Sequence, residues 1–270
     1  MSVHDLAQEL MAARSGRQAI ATPPSGRDTP LDLDTAYAVE AELVRQRKAS
    51  GRTTVGRKVG FANKAMWRVL KLDTLVWAHM YDDTVVHADD NAGTLSLAPM
   101  FSPKIEPEIV FKMKGPISSD FSEPATVLNS VEWFALGFEI IDCVFADWKF
   151  QPVDFVASFG LHAALVVGAP VQVTPDTIPQ LSEQLSKFTV KLSKNGAVVA
   201  EGSGRNSLRS PALCLGELAA AIGRRSPEEP LSTGELVSSG TLTESMPIAP
   251  GETWTAVVEG LAVPPLTVNV

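Results

Sequence analysis

The chain has 270 residues, of which 45% are hydrophobic and 20% are charged, a composition typical of globular rather than disordered proteins. Its net charge of −8 argues against a nucleic-acid surface. It contains no apolar run of the roughly 18 residues that a membrane span requires. Its two cysteines, Cys143 and Cys214, favour buried thiols in a reducing cytoplasm over a disulfide framework.

Helical patterns dominate the first part of the chain. The predicted elements are helices over Met1–Arg14, Asp34–Ala49 and Asn63–Lys71 and a strand over Val55–Gly60. Asp34 or Thr35 is expected to cap the second helix. Met66, Val69 and Leu70 are expected to face inward in the third. We therefore expect a smaller N-terminal α/β region over residues 1–80.

Strand patterns prevail over the rest of the chain, which we expect to be a β-rich catalytic domain over residues 81–270. The predicted strands are Thr84–His87, Lys104–Lys112, Trp133–Asp142, Ala163–Val167, Thr189–Leu192, Ala197–Gly202, Leu236–Thr241 and Thr253–Val258. The dipeptide Asn195-Gly196 predicts a hairpin. Helices are expected over Pro175–Ser186 and Ser210–Ile222, the second ending at Gly223. Because strands do not alternate with helices, the pattern favours a mixed α+β fold over a doubly wound parallel sheet.

Acidic residues interrupt two of these apolar strands. Glu106 and Glu108 are two positions apart, so an extended strand places both on one face. Pro107 cannot donate a ladder hydrogen bond, which predicts an edge or a local irregularity at this point. Glu139 lies between Phe138 and Ile140 in the next strand. If the strands are neighbours, the three carboxylates form an oxygen cage for a hard divalent cation. Otherwise Glu106 and Glu108 line a solvated sheet face and Glu139 pairs with an arginine or a lysine.

The motifs that follow one another along the chain are specific as a set. They are Gly56-Arg57-Lys58-Val59-Gly60, Asp82-Asp83, Ile105-Glu106-Pro107-Glu108-Ile109, Glu139-Ile140-Ile141-Asp142 and Trp148. In this order, over roughly residues 33–270, the chain resembles the fumarylacetoacetate hydrolase superfamily in its 2-keto-4-pentenoate hydratase / 4-oxalocrotonate decarboxylase branch. The resemblance implies a roll or barrel-like β-rich core, homo-oligomers and small 2-oxo acid substrates. It also implies Mg²⁺ or Mn²⁺ held by Glu106, Glu108 and Glu139.

The same resemblance suggests further site residues. Lys58 matches a family lysine and is expected to bind a substrate carboxylate or transfer a proton. Asp83 is expected to orient water or shuttle a proton, and its neighbour Asp82 to contact substrate, although both also suit a turn. The segment with Ser158 and His162 departs from the branch pattern. Ser158 is a candidate substrate contact, and His162 is either a proton carrier or a buried, hydrogen-bonded side chain.

These expectations leave four functions open. A 2-oxo acid chelates a divalent cation, which polarises the keto group. Water then adds to C4 of a 2-oxo-alkenoate, which is our leading interpretation, or CO₂ leaves an oxalocrotonate-like diacid. A third alternative is C–C hydrolysis of an acylpyruvate with His162 as base. The fourth is an inactive structural partner of a related enzyme.

Overall fold

Two β-sheets and seven α-helices build the described part of the chain, residues 1–117 and 121–270 of a computed structural model. The helices are α1 (Val3–Gly16), α2 (Leu33–Ala49), α3 (Lys64–Leu70), α4 (Pro124–Leu128), α5 (Pro152–Ala157), α6 (Ile178–Lys187) and α7 (Pro211–Arg225). Short 3₁₀ turns lie at Pro24–Gly26, Ala146–Trp148, Phe159–Leu161 and Gly204–Asn206. The strands are β1 (Thr54–Gly60), β2 (Val76–Tyr81), β3 (Val85–His87), β4 (Ala92–Thr94), β5 (Pro103–Met113), β6 (Val131–Asp142), β7 (His162–Val167), β8 (Val171–Gln172), β9 (Thr189–Lys194), β10 (Ala197–Ser203), β11 (Leu236–Ser238), β12 (Met246–Pro247), β13 (Thr253–Glu259) and β14 (Leu266–Asn269).

The larger sheet is mixed and has nine strands. Its order is β2-β1-β11-β5-β6-β7-β3, with β12 beside β5 and β8 beside β6. The pairs β1–β11 and β3–β7 are parallel, whereas β5 and β6 form a long antiparallel pair. The second sheet has five strands in the order β10-β9-β13-β14-β4. The predicted mixed, β-rich α+β fold is therefore confirmed.

The larger sheet curls, so strands far apart in its order meet on one face. Met80 on β2, Val110 on β5 and Leu165 on β7 belong to one buried cluster. Four strands separate β2 from β7, which in a flat sheet would place them roughly 24 Å apart. The opposite face packs on the main core through residues such as Ile105 and Phe138. This curl gives the predicted roll an interior that is apolar at one end.

The sheet crosses the predicted boundary between residues 80 and 81. Strand β1 precedes that boundary and β2 runs across it, and both belong to the sheet that contains β5, β6 and β7. Gly56 and Lys58 on β1 pair with Leu236 and Ser238 on β11, close to the other end of the chain. The division into two regions stays a prediction, but backbone hydrogen bonds join its two parts.

Two helix predictions in the first part of the chain are wrong in detail. Helix α2 is capped by Asp32, whose Oδ1 accepts from the Thr35 amide at 2.7 Å, because this carboxylate satisfies an otherwise unpaired N–H group of the first turn. In α3, Met66 and Val69 face solvent and are 45% and 74% exposed. Trp67 is buried instead, because its larger apolar surface packs inward while Nε1 donates to the Phe61 carbonyl at 2.7 Å.

Turn chemistry predicts one connection correctly and one incorrectly. Asn195 and Gly196 have φ values of 50° and 84°, as a two-residue hairpin turn requires, and join β9 to β10. Gly223 does not end α7, which continues to Arg225 and is followed by Ser226. Its φ is not positive, so the residue is an ordinary helix position and its predicted role as a stop is wrong. Both Cys143 and Cys214 are buried, free thiols as expected.

Strand β2 and helix α5 were not predicted because they lack a periodic signal. All six residues of β2 are buried, so no alternation of apolar and polar side chains marks the strand. Helix α5 has only six residues, of which five are buried. None of the helices within the described residues combines the length and apolar character that crossing a membrane requires.

Replacing glycine by alanine at two positions is expected to change the free energy of unfolding in opposite directions. Gly56→Ala places a Cβ 1.9 Å from the Leu236 carbonyl oxygen, so β1 and β11 must separate, and we expect a loss of about 1–3 kcal/mol or more. Gly223→Ala meets no atom within 4 Å inside α7, so we expect a gain of about 0.5–1 kcal/mol. Urea denaturation of both variants measures these differences. A neutral Gly56→Ala would contradict the close β1–β11 contact.

Candidate metal centre

The central antiparallel pair of the larger sheet brings the three glutamates together. Glu106 on β5 lies directly opposite Glu139 on β6, and Glu108 is two residues along β5 on the same face. One carboxylate oxygen from each residue lies within 4.8 Å of the others. Glu108 and Glu139 are fully buried, whereas Glu106 is partly exposed. The cluster therefore lies inside the roll, at the end opposite the apolar cluster.

Alternation along β5 explains why the acids face inward. Ile105 and Ile109 occupy the opposite face and are fully buried in the main core. Pro107 is tolerated although β5 is not an edge strand, because its neighbour is interrupted there. Strand β11 ends beside Val110, and β12 begins only beside Ile105. The predicted irregularity is thus real, but it lies in the adjacent strand.

Two hydrogen-bond donors at the end of β11 and just after it hold the Glu108 carboxylate in place. Its Oε2 accepts from Ser238 Oγ at 2.6 Å and from the Gly240 amide at 2.7 Å. Its Oε1 is buried without a hydrogen-bond partner among the described residues. Burial, followed by the charges of Glu139 and Glu106, raises the pKa of Glu108 well above its usual value. One oxygen is therefore fixed in place while the other is free to bind a ligand.

Glu139 lies between a lysine and a histidine. Lys58 Nζ is 2.9 Å from Oε2, and His162 Nδ1 is 2.9 Å from Oε1. Burial opposes ionisation of Glu139, but Lys58 and His162 outweigh it and lower the pKa of this carboxyl. Conversely, burial opposes charge on Lys58, yet the three glutamates raise its pKa. The buried pair is therefore an ammonium and a carboxylate.

Both nitrogens of the His162 ring have partners. Nδ1 faces Glu139, and Nε2 lies 2.9 Å from Thr84 Oγ1. An ionised carboxylate only accepts, so Nδ1–H donates to Glu139. Nε2 contacts the Thr84 hydroxyl, whose single proton is shared between this nitrogen and the Tyr81 carbonyl oxygen 2.9 Å away. Burial lowers the pKa of His162, which keeps the ring neutral. This geometry orients Glu139 and leaves neither ring nitrogen free for a substrate.

The chemistry of the cluster fits a hard divalent cation. Three carboxylates with one nearby ammonium leave two negative charges in excess at a buried position, if all three are ionised. Burial raises the pKa of Glu106 to about 7, against the charges of Lys58 and Lys104. The unpartnered Glu108 Oε1 and the absence of nitrogen or sulfur donors match the ligand preference of Mg²⁺ or Mn²⁺. The predicted ligands therefore fit the predicted ions, and the assignment itself stays a prediction.

A pocket of about 690 Å³ opens above the cluster. Glu106 and Lys58 line its floor, and Lys104 lies on its wall. The interrupted segment after β11 contributes Gly240, Thr241 and other residues. Its apolar lining consists of Val59, Phe61, Ala62, Met66, Ile141, Trp148, Phe150, Phe155 and Leu161. This volume suits a small organic molecule whose polar end faces the carboxylates.

Of the predicted site residues, only Lys58 and Glu106 line this pocket. Glu108, Glu139 and His162 are buried in the cluster or in contact with it, and three others lie apart from it. Asp83 forms ion pairs with Arg47 at 2.5 Å and with Arg52 at 3.2 Å. Asp82 accepts from the Thr53 amide at 3.2 Å in the turn between β2 and β3. Ser158 is buried just after α5. Their predicted roles stay predictions, and the contacts of the two aspartates are those of a turn.

Several residues that build the site had no signal of their own in the sequence. Thr84 and Ser238 are the hydroxyl partners of His162 and Glu108, and Gly240 supplies an amide. Ser238 is 130 residues from Glu108 along the chain. At Gly240 the structure has a φ of 93°, which only glycine adopts readily, so the residue type is consistent with this turn but does not predict its contact with Glu108.

Comparison with known proteins agrees with this architecture. The sequence model of the fumarylacetoacetate (FAA) hydrolase C-terminal family matches residues 70–269. The chain is 28% identical over 254 residues to a 2-hydroxyhexa-2,4-dienoate hydratase of Comamonas testosteroni, covering 94% of this chain and 92% of the relative. It is 29% identical over 252 residues to a 4-oxalocrotonate decarboxylase of Pseudomonas sp, covering 93% and 92%.

A solved structure shares the fold over nearly the whole chain. This is the 4-oxalocrotonate decarboxylase from Pseudomonas putida G7 complexed with magnesium and adipate, with a TM-score of 0.86 at 24% identity. The superposition covers 99% of this chain and 96% of that one. The resemblance inferred from the motifs, including its branch, is confirmed. The chain belongs to the fumarylacetoacetate (FAA) hydrolase C-terminal family.

Proposed function

We propose that the protein is a metal-dependent lyase that adds water to a small 2-oxo-alkenoate and yields a 4-hydroxy-2-oxo acid. The observation that carries this proposal is the convergence of Glu106, Glu108 and Glu139 in one cluster, of which Glu106 reaches the lining of a pocket with many apolar side chains. The relative from Comamonas testosteroni, a hydratase by name, supports the choice of substrate and reaction. Aromatic meta-cleavage catabolism is the predicted context.

The three glutamates would hold Mg²⁺ or Mn²⁺. When bound, the cation would supply Lewis-acid polarisation of a 2-oxo group. The two metal ions in question are hard cations that retain positions for other oxygen ligands when only three carboxylates hold them. The magnesium in the Pseudomonas putida G7 decarboxylase structure supports this choice of ion.

The surrounding side chains have separate roles in this proposal. Lys58 remains protonated beside Glu139, so Nζ is positioned to hold a proton near the reacting carbons. His162 and Thr84 fix the orientation of Glu139, which makes His162 a positioning residue rather than a base. Phe155 covers the Lys58 ammonium at 4.9 Å and limits its access to water.

Decarboxylation is the second candidate reaction. It is supported by the relative from Pseudomonas sp, which is a 4-oxalocrotonate decarboxylase by name. Both reactions need the same polarised 2-oxo group, because it accepts the electrons released by water addition or by loss of CO₂.

An inactive structural partner is less consistent with the site, because a protein without activity gains nothing from burying three acids. Hydrolysis of an acylpyruvate with His162 as base is disfavoured by its two occupied ring nitrogens. Homo-oligomers and a cytoplasmic location stay predictions.

One assay separates these functions. Purified protein with Mg²⁺ is presented with 2-hydroxypenta-2,4-dienoate and, separately, with 4-oxalocrotonate. Loss of dienoate absorbance with incorporation of water supports the hydratase, whereas release of CO₂ from the diacid supports the decarboxylase. Absence of turnover with both substrates, in protein shown to bind the metal, would exclude the proposed lyase activity.

Replacement of one buried acid is expected to stabilise the metal-free protein and abolish its response to metal. Glu108→Gln removes one of three repelling carboxylates, so the melting temperature without metal should rise. The rise in melting temperature that Mg²⁺ or Mn²⁺ gives the original protein should disappear, because the ligand is lost. Glu132→Gln, which changes a partly exposed acid on β6 outside the cluster, is the matched control. An unchanged metal response in Glu108→Gln would refute the ligand assignment.

Metal affinity is expected to increase with pH through neutrality. Glu106 has a folded-state pKa of about 7, above its ordinary 4.5, so the metal-free fold binds more protons than the unfolded chain between these values. This group therefore favours the metal-free fold at low pH, and that contribution is lost as the pH rises through 7. A cation competes with the proton, so calorimetry at pH 7 in buffers of different ionisation enthalpy should detect proton release. A constant Kd between pH 6 and 8 would contradict this coupling.

His162→Gln distinguishes a positioning role from a catalytic base. Loss of the Glu139 contact should weaken metal binding by about 10- to 100-fold, as is typical for partners of metal ligands. At saturating metal, however, kcat should stay within about tenfold of the original value. A loss of kcat by two or more orders of magnitude at saturating metal, with normal metal affinity, would instead identify His162 as the base.

A further inference from the structure

Among the described residues, Lys104 is the pocket cation that has no carboxylate partner. The pocket lining among the described residues contains two cationic side chains, Lys58 and Lys104. Lys58 is 1% exposed and lies 2.9 Å from Glu139. Lys104 forms no ion pair within the described ranges, although it borders a cluster of acids. Lys104 is therefore the pocket cation that remains available to an anionic ligand.

Lys104 lies beside the metal cluster on strand β5, on the side that faces the mouth of the pocket. It precedes Glu106 by two residues on the same face of β5, a spacing of about 7 Å between Cα atoms. The order along this face is Glu108, Glu106 and Lys104, from the interior outward. The positive charge of Lys104 acts on Glu106 without an ion pair between them. A ligand held at Glu106 therefore lies next to Lys104 along the lining of the pocket.

An aromatic platform holds the ammonium of Lys104. Its Nζ lies 3.9 Å from the centre of the Trp148 ring. The indole Nε1 of Trp148 donates to Ser102 Oγ at 2.9 Å, which fixes the ring. Trp148 itself has a φ of 57°, in a region that side chains other than glycine rarely adopt. A lysine restrained in this way loses less side-chain entropy when it binds an anion.

The rest of the pocket indicates which end of a ligand Lys104 meets. The wall beyond it contains Phe61, Phe150, Phe155 and Leu161, which suit a hydrocarbon tail. Glu244 lines the same pocket, and its carboxylate disfavours a second anionic group. The single carboxylate of a 2-oxo monoacid, however, is required beside the metal cluster, and Lys104 lines the pocket two residues from Glu106 on the same strand face.

We propose that Lys104 binds the C1 carboxylate of a 2-oxo monoacid, with Trp148 and Ser102 as its positioning residues. This inference rests on the proposed function and narrows its substrate class to monoacids with a short apolar tail. One oxygen of that carboxylate and the 2-oxo group face the glutamate cluster, and the other carboxylate oxygen accepts from Lys104 Nζ. The pair is a charge-assisted hydrogen bond in a partly buried site, so its loss is measurable.

Calorimetric titration of Mn²⁺-loaded protein with pyruvate and with 2-oxoadipate tests this proposal. Both probes share the 2-oxo acid head, and only 2-oxoadipate carries a second carboxylate. Lys104→Gln should raise the Kd of both probes by the same factor, about 10- to 100-fold. The Kd for Mn²⁺ alone should change by less than this factor, because Lys104 acts on Glu106 only through its charge and is not among the metal ligands. Lys104→Arg, which keeps the charge, should recover part of the affinity.

Lys112→Gln is the matched control. Lys112 lies on the same strand and face as Lys104 and over an aromatic ring, Trp133 at 6.0 Å, but outside the pocket. The Lys112→Gln substitution should leave the Kd of both pyruvate and 2-oxoadipate unchanged. A Lys104→Gln effect on 2-oxoadipate alone would place the far carboxylate at Lys104 and overturn the assignment. Unchanged binding of both probes would overturn it as well.

The same titrations distinguish failure of the proposed lyase function from failure of the proposed role of Lys104. If the original protein binds no Mn²⁺, or binds Mn²⁺ without either probe, the metal-dependent lyase proposal fails before any variant is compared. If the original protein binds metal and pyruvate but Lys104→Gln binds them equally well, only the role of Lys104 fails. Circular dichroism and thermal melting of each variant establish that it is folded before titration.

Discussion

Burial of three carboxylates around one ammonium is the constraint on which the site depends. Ionised acids are rarely buried without compensation, because water solvates them far better than a protein interior does. Here Lys58 neutralises one charge, while Ser238, Gly240 and His162 supply hydrogen bonds. Two negative charges remain when all the acids are ionised. A divalent cation resolves this imbalance, which explains why such an arrangement persists inside a folded chain.

The break in the larger sheet serves several purposes at once. Strand β11 ends at Ser238 and β12 begins at Met246, and the segment between them leaves the ladder beside β5. This gap accommodates Pro107, whose nitrogen has no proton to donate. It also turns the Gly240 amide toward Glu108 and contributes lining residues to the pocket. Local loss of strand pairing thus provides the space and the donors that the carboxylates require.

The parts of the site that could be predicted are those that depend on the pattern of polar and apolar residues within a single strand. The alternation around Glu106 and Glu108 fixes their common face, and the apolar neighbours of Glu139 indicate its burial. The interpretation of Asp82, Asp83 and Ser158 depended on resemblance alone, and none of the three belongs to the carboxylate cluster or to the pocket lining. His162 illustrates the difference between proximity and role. It lies in the predicted site, but its two nitrogens are already engaged by Glu139 and Thr84.

The sequence by itself determined the β-rich class of the fold, the hairpin at Asn195-Gly196 and the two acid-bearing strands, because periodicity and turn chemistry act over a few residues. It also carried the motif order that identifies the family. Only the tertiary structure decided that β5 and β6 are neighbours in register and that Ser238 meets Glu108 across 130 residues. It likewise decided that Lys104 has no carboxylate partner among the described residues. Such facts depend on how the whole sheet curls, since contacts between distant segments arise from collective packing and leave no mark in either segment alone.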